Sequence, residues 1–114
     1  MGYDERELAW AAGFFDGEGS MSPHIDKRPG RRPSLQLEIE QTSQQPLERF
    51  RRAVGQGGRI TLRKPRAVTR KPLWRLHYYG PAAFEVARLL YPYLCQPKQE
   101  QIRRAIRVVE DVAA

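Results

Sequence analysis

The sequence predicts an α+β domain of element order αββαββαα, a four-stranded antiparallel sheet with its helices on one face. Three features predict it. Two stretches alternate apolar and polar residues with period two and double back through basic turns, apolar residues recur at helical spacing between and after them, and glycine clusters punctuate the boundaries.

Asp4-Glu5-Arg6-Glu7 has the form of a capping box, and Leu8, Ala11, Ala12 and Phe15 follow on one side, so a first helix is expected over about Asp4 to Gly17. Gly17 and Gly19 end it. From Ser20 to Asp26 the set Ser20, Ser22, His24, Asp26 alternates with Met21, Pro23 and Ile25, which reads as a strand with one wet face. A turn with Lys27, Arg28, Arg31 and Arg32 follows. Leu35, Leu37 and Ile39 then face one way while Ser34, Gln36, Glu38 and Glu40 face the other, completing a hairpin.

Pro46 suits the first turn of a helix carrying Leu47, Phe50 and Val54, stopped by Gly55, Gly57 and Gly58. The hairpin pattern then repeats. Ile60 and Leu62 alternate with Arg59, Thr61 and Arg63; after a basic loop, Trp74, Leu76 and Tyr78 alternate with Arg75, His77 and Tyr79. Pro81 opens a third helix with Phe84, Ala87, Leu90 and Leu94 inward, and Pro97 opens a fourth with Ile102, Ala105, Ile106, Val109 and Val112. No composition break divides residues 1–114, so they read as a single domain.

Charge narrows the partner. The formal net charge is +7, and from Arg51 to Phe84 there are nine Lys or Arg and no acidic residue. A merely solvated face usually mixes both signs, so this stretch points to a polyanion, and nucleic acid is favoured. No basic helix has the wide, aromatic-anchored apolar face of a membrane binder. Cys95 is the one cysteine, which excludes an internal disulfide and zinc-ligand spacing. Asp4, Glu5 and Glu7 stand where a signal peptide needs positive charge, so the expectation is a soluble, cytoplasmic protein in a reducing compartment.

With the helices on one face, the polar sets share the open one: Ser20, Ser22, His24, Asp26, Ser34, Gln36, Glu38, Arg59, Thr61, Arg63, Arg75 and His77. Donors and acceptors of both senses are what reading base edges in a major groove requires. An ordinary solvated sheet face is the alternative. Its weakness is that Arg59, Arg63 and Arg75 have no acidic partner on their own hairpin.

The stretch Ala11-Ala12-Gly13-Phe14-Phe15-Asp16-Gly17-Glu18-Gly19 resembles the nine-residue signature of the LAGLIDADG homing endonucleases, with Ala12, Gly13, Asp16 and Gly19 identical to its letters. Physical chemistry gives these residues a use of its own. Ala9, Gly13 and Gly17 recur every four residues, a stripe along which a second helix can approach closely; a contact within the chain is the alternative. Glycine inside a helix costs up to about 1 kcal/mol against alanine, so Gly13 needs such a reason. Asp16 and Glu18 meet the negative end of the helix dipole. If two copies of the helix pack together, two Glu18 carboxylates converge, and a hard divalent cation relieves their repulsion.

The resemblance is to the single-motif, homodimeric type and covers nearly the whole chain. It implies a saddle-shaped sheet on double-stranded DNA, a long pseudo-palindromic site, and Mg2+ or Mn2+ as the cofactor with no other small molecule. It implies that Glu18 is the essential metal ligand, assisted by the Gly17 carbonyl. Gln41, at the end of the second strand, takes the place of a residue that orients solvent, although a plain strand-end glutamine is the alternative. Lys98 takes that of a lysine near the scissile phosphate, against a lysine that only occupies a helical first turn. The basic residue that often follows the glutamine is missing, for Gln44, Gln45 and Pro46 stand there; Arg49 and Arg51 are the nearest substitutes.

Four residues are candidates for the dimer interface: Ala9, Gly13, Asp16 and Gly17. Asp16 is left open between the metal and the interface. Arg28, Arg31, Arg32, Lys64, Arg66, Arg70 and Lys71 in the hairpin tips suit phosphates, while Arg59, Arg63 and Arg75 suit guanine, Gln36 adenine, and Glu38 or Asp26 cytosine. A non-cleaving DNA-binding regulator or an intron RNA maturase is the alternative function. Gly13 to Gly19 follows no nucleotide-binding glycine spacing.

Overall fold

The structure is a computed structural model that describes residues 2–63 and 71–113. Helix α1 spans Glu5–Glu18, and Asp4 caps it, its carboxylate accepting the backbone N–H groups of Arg6 at 2.9 Å and Glu7 at 3.3 Å. Only this half of the expected capping box forms. The Glu7 carboxylate instead takes the Arg49 guanidinium, at 3.0 and 2.8 Å, and Arg49 also lies 4.0 Å over the Trp10 ring.

Strands β1 (Gly19–His24) and β2 (Ser34–Gln41) form the first hairpin, and helix α2 (Gln44–Val54) follows. Gly55 ends α2 in the left-handed region at φ 66°, a conformation that glycine adopts without a steric cost. Strands β3 (Arg59–Arg63) and β4 (Leu73–Tyr79) form the second hairpin, helix α3 is Gly80–Leu90, a 3-10 turn covers Tyr91–Tyr93, and helix α4 is Gln96–Ala113. Element order and layer arrangement are those the periodicities predict.

The strand order is β1-β2-β4-β3, antiparallel throughout. One cross-strand row runs Ser20, Glu38, His77, Arg59 over all four strands. The alternate positions, Met21, Leu35, Leu37, Ile39, Leu76 and Tyr78, are buried beneath the helices. Against them pack Leu8, Ala11, Ala12 and Phe15 of α1, Leu47, Phe50, Ala53 and Val54 of α2, and the inner faces of α3 and α4. Strand β1 is an edge, and α4 covers it: the Gln101 side-chain oxygen accepts the Met21 N–H at 2.9 Å.

Several boundaries depart from the sequence expectations. Helix α3 stops at Leu90, because Pro92 has no N–H to continue it, and Leu94 reaches the core from beyond the 3-10 turn. Ala83 and Val86, not Phe84, accompany Ala87 on its inner line, and Phe84 is exposed, as is Val112 at the end of α4. Strand β1 ends at His24, which leaves Asp26 outside it. Among the described residues no helix is long and apolar enough to cross a membrane.

Candidate nucleic-acid interface and acidic helix end

The open face carries the predicted polar set, with an ion-pair lattice that the hairpins alone did not reveal. Because β4 lies beside β2, the carboxylates of the first hairpin reach the arginines of the second. Arg63 Nη1 is 3.1 Å from Glu40, and Arg75 lies 3.4 Å from Glu38 and 3.8 Å from Glu40. His77 Nε2 is 3.6 Å from Glu38. These arginines thus have acidic partners across the hairpin boundary. The pairing is incomplete, however: Arg75 Nε and His77 Nε2 are buried without a hydrogen-bond partner among the described residues. Burial, more than any neighbouring charge, pushes the His77 imidazole below its ordinary value.

Ser20, Ser22, His24, Ser34, Gln36, Arg59 and Thr61 share this face by register. Gln36 Nε2 donates to Ser22 Oγ at 3.0 Å. Asp26 does not share it. Its carboxylate is held in the turn by the Arg28 side chain, at 2.6 Å, and by the Arg28 N–H at 3.0 Å, and the Arg28 guanidinium keeps it below the usual carboxylate range. Arg31, Arg32 and Lys71 are exposed at the hairpin tips, while Lys64, Arg66 and Arg70 lie outside the described residues.

At the end of α1 the chain enters β1 with the Gly19 N–H bonded to the Phe15 carbonyl. Gly19 is required by packing: a Cβ there would fall inside the Phe15 ring, which is buried in the core. The carbonyls of Asp16, Gly17 and Glu18 lie past that last helical bond, and the Glu18 side chain is exposed. Lys98 Nζ donates to the Gly19 carbonyl at 2.6 Å, so the lysine predicted from the stretch before the last helix stands one residue from Glu18. Gln41 lies two residues beyond Ile39, the partner of Gly19, and sits half-buried at this same end of the sheet.

Asp16 turns inward. Both its carboxylate oxygens accept the Cys95 N–H at 3.2 Å, where Cys95 immediately precedes α4. The negative end of α1 and the positive end of α4 therefore meet at Asp16, which offsets the dipole clash expected from the sequence. The Asp16 carboxylate also pushes the Cys95 thiol up, first as a side-chain hydrogen-bond partner of the thiol and then through its charge. Asp16 has an intrachain task, whatever else it does. Gln101 beside it was not singled out by sequence reasoning, since a glutamine at one helical position gives no signal of the strand it caps.

Arg49 and Arg51, the nearest substitutes for the missing basic residue, are both engaged elsewhere. Arg49 is committed to Glu7 and Trp10, and Arg51 donates to the Gly58 carbonyl at 3.3 Å. The outer face of α1 is bare: Ala9, Gly13 and Gly17 are exposed, and a Cβ built on either glycine meets nothing within 4 Å. The contact within the chain that could have explained Gly13 is absent among the described residues. Nor do the described residues contain a cluster of three or more His, Cys, Asp or Glu able to hold a metal. The donors at the end of α1 are all oxygens, one carboxylate and the carbonyls past the last helical hydrogen bond, a set that suits a hard cation but supplies part of its shell.

No protein-family model matches the chain, and no curated protein does. Solved structures do. Similar in fold are the homing endonuclease I-CvuI in complex with the I-CreI target in the presence of magnesium, the DNA not cleaved (TM-score 0.70, 22% identity, 95% of this chain and 68% of that one), and the group I intron-encoded homing endonuclease I-CeuI complexed with DNA (TM-score 0.69, 11% identity, 96% and 56%). The LAGLIDADG meganuclease I-CpaMI bound to uncleaved DNA gives a TM-score of 0.70 at 20% identity over 91% of this chain, which spans 37% of that protein. With its αββαββαα order, its β1-β2-β4-β3 sheet and its acidic helix end, the chain has the fold of the LAGLIDADG homing endonucleases.

Proposed function

We propose that the chain is one subunit of a homodimeric, Mg2+-dependent endonuclease that cuts double-stranded DNA at a long, pseudo-palindromic site. One observation carries the reading: a small-residue face of α1 that none of the described residues covers ends in an exposed carboxylate, Glu18, with Lys98 held one residue away. Paired along that face, two α1 helices bring two Glu18 side chains together and join two four-stranded sheets along one duplex.

The donor set, completed by oxygens of the second subunit and of DNA phosphates, fits a hard divalent ion. The chemistry such an ion supplies is a lowered pKa for an attacking water and charge neutralisation at the leaving oxygen. Glu18 and the Gly17 carbonyl hold it. Lys98 places positive charge beside the phosphate, and Gln41 orients solvent at the same end of the sheet. The open face, with the basic hairpin tips, binds the duplex: tips on phosphates, strand residues on base edges. That I-CvuI, I-CeuI and I-CpaMI are seen with DNA supports a duplex partner for this fold.

The test is nicking of a duplex selected for binding from a randomised pool, with and without Mg2+. The wild type is expected to cut both strands only with the metal, and Glu18→Gln to bind as well or better without cutting. Cleavage by Glu18→Gln would overturn the mechanism. Tight binding by a wild type that never cuts would assign the chain to the non-cleaving regulators or RNA maturases instead. Affinity should also fall steeply with salt, because many phosphates are neutralised.

A further inference from the structure

Tyr79 is half exposed, on a sheet face that, apart from Leu73 at the far end of β4, is made of charged and polar side chains, and the core does not use it. It is set in place by two rings, His77 with centroid 4.0 Å away and His24 5.7 Å away, edge-on. Directly across the ladder on β2 stands Gln36, whose own cross-strand neighbour on β1 is Ser22. Gln36 spends one amide N–H on Ser22 Oγ. It keeps one N–H and the carbonyl, the donor and acceptor pair that matches N7 and the N6 amino group of adenine.

In the major groove an A·T pair presents that adenine edge beside one apolar feature, the thymine C5 methyl. Gln36 and Tyr79 stand side by side in the same way, an amide next to an exposed ring, on adjacent strands. We infer that the row Ser22, Gln36, Tyr79 reads a single A·T pair, with Gln36 on adenine and the Tyr79 ring against the thymine methyl. The assignment rests on the duplex-binding reading above and adds to the adenine expected for Gln36 a second reader, Tyr79, and the thymine methyl that it meets. His24 and His77 act on it indirectly, by fixing the ring.

Replacing thymine by deoxyuridine removes the methyl alone, leaving every hydrogen bond of the pair. The experiment selects the bound duplex, then scans it with deoxyuridine at each thymine, in both half-sites, against wild type, Tyr79→Phe, Tyr79→Ala and Gln36→Ala. One symmetric pair of thymines is expected to be methyl-sensitive for the wild type and Tyr79→Phe, by about fourfold per methyl. Tyr79→Ala should bind thymine and deoxyuridine alike there, and Gln36→Ala should lose its preference for adenine at that same pair. A bound duplex with no methyl-sensitive position, or a methyl effect that survives in Tyr79→Ala, overturns the inference while leaving DNA binding intact. Failure to select any duplex overturns the duplex-binding reading itself.

Discussion

The ammonium of Lys98 and the carbonyl oxygen of Gly19 are 2.6 Å apart, so the first turn of α4 is fastened to the junction where α1 becomes β1. The positive charge is thereby held at the end of the helix that carries Glu18, at a position where α1 presents its negative dipole end. Lys98 has two separable effects, one on the fold and one on the chemistry.

Lys98→Met keeps an aliphatic stem of similar length and removes the charge, which lies 5.4 Å over the Phe15 ring. Loss of a charge-assisted hydrogen bond at a partly exposed site is expected to cost about 1 kcal/mol of stability. Duplex nicking should fall about 100-fold, as when a transition-state donor is removed, with duplex affinity changed far less. Nicking at the wild-type rate, measured in single turnover, would reduce Lys98 to a structural tie.

What could be read beforehand follows from the range of the forces involved. The alternation of Leu35, Leu37 and Ile39 and the glycine after Val54 are local signals, and the structure keeps them. The order of strands is not local. Nothing within either hairpin says that β4 lies beside β2, and so the ion pairs of Glu38 and Glu40 with Arg75 and Arg63 were invisible. Asp16 and Cys95 are bonded across most of the chain, and a motif alignment could place Asp16 only on α1. Leu94 fell at helical spacing after Leu90, yet Pro92 between them broke the helix while leaving Leu94 in the core. The acidic end, by contrast, was legible, because Glu18 and the stripe of Ala9, Gly13 and Gly17 lie within one helix.

Gly13→Leu separates association from folding. A side chain at Gly13 meets nothing in its own chain, and replacing an interior helical glycine removes a conformational cost of about 1 kcal/mol, so the free subunit should be no less stable. A leucine standing in the stripe prevents close approach of a second α1. Sedimentation should therefore give a monomer where the wild type gives a dimer, with an unchanged or raised unfolding midpoint. A dimeric Gly13→Leu protein would move the interface elsewhere.

His77 gives a pH dependence of known sign. Burial lowers its pKa against the opposing pull of the Glu38 carboxylate, and Arg75 and His24 lower it further. In the unfolded chain the imidazole returns to its ordinary value near 6.5. As pH falls through that value the unfolded state takes up a proton before the folded state does, so stability present above it is lost towards the lower folded pKa. Urea unfolding of the free protein at about pH 7.5 and about pH 5.5 should show this loss. His77→Gln should show less of it. Equal losses in both proteins would place the acid sensitivity in other groups.

Asp16 is where an intrachain role and an interface role make opposite predictions. Its carboxylate accepts the Cys95 N–H, and the same carboxylate holds the Cys95 thiol above its ordinary pKa, first through a side-chain hydrogen bond and then through charge. Asp16→Ala removes both, so the fraction of thiolate at a fixed pH near neutrality should rise, and Cys95, the one cysteine of the chain, should alkylate faster. The unfolding free energy should fall by about 1 kcal/mol, the cost of losing a hydrogen bond that ties α1 to the start of α4, with Asp16→Asn closer to wild type because it keeps an acceptor oxygen. Were Asp16 to act only between subunits, its replacement would weaken dimerisation and leave the alkylation rate of Cys95 where it was.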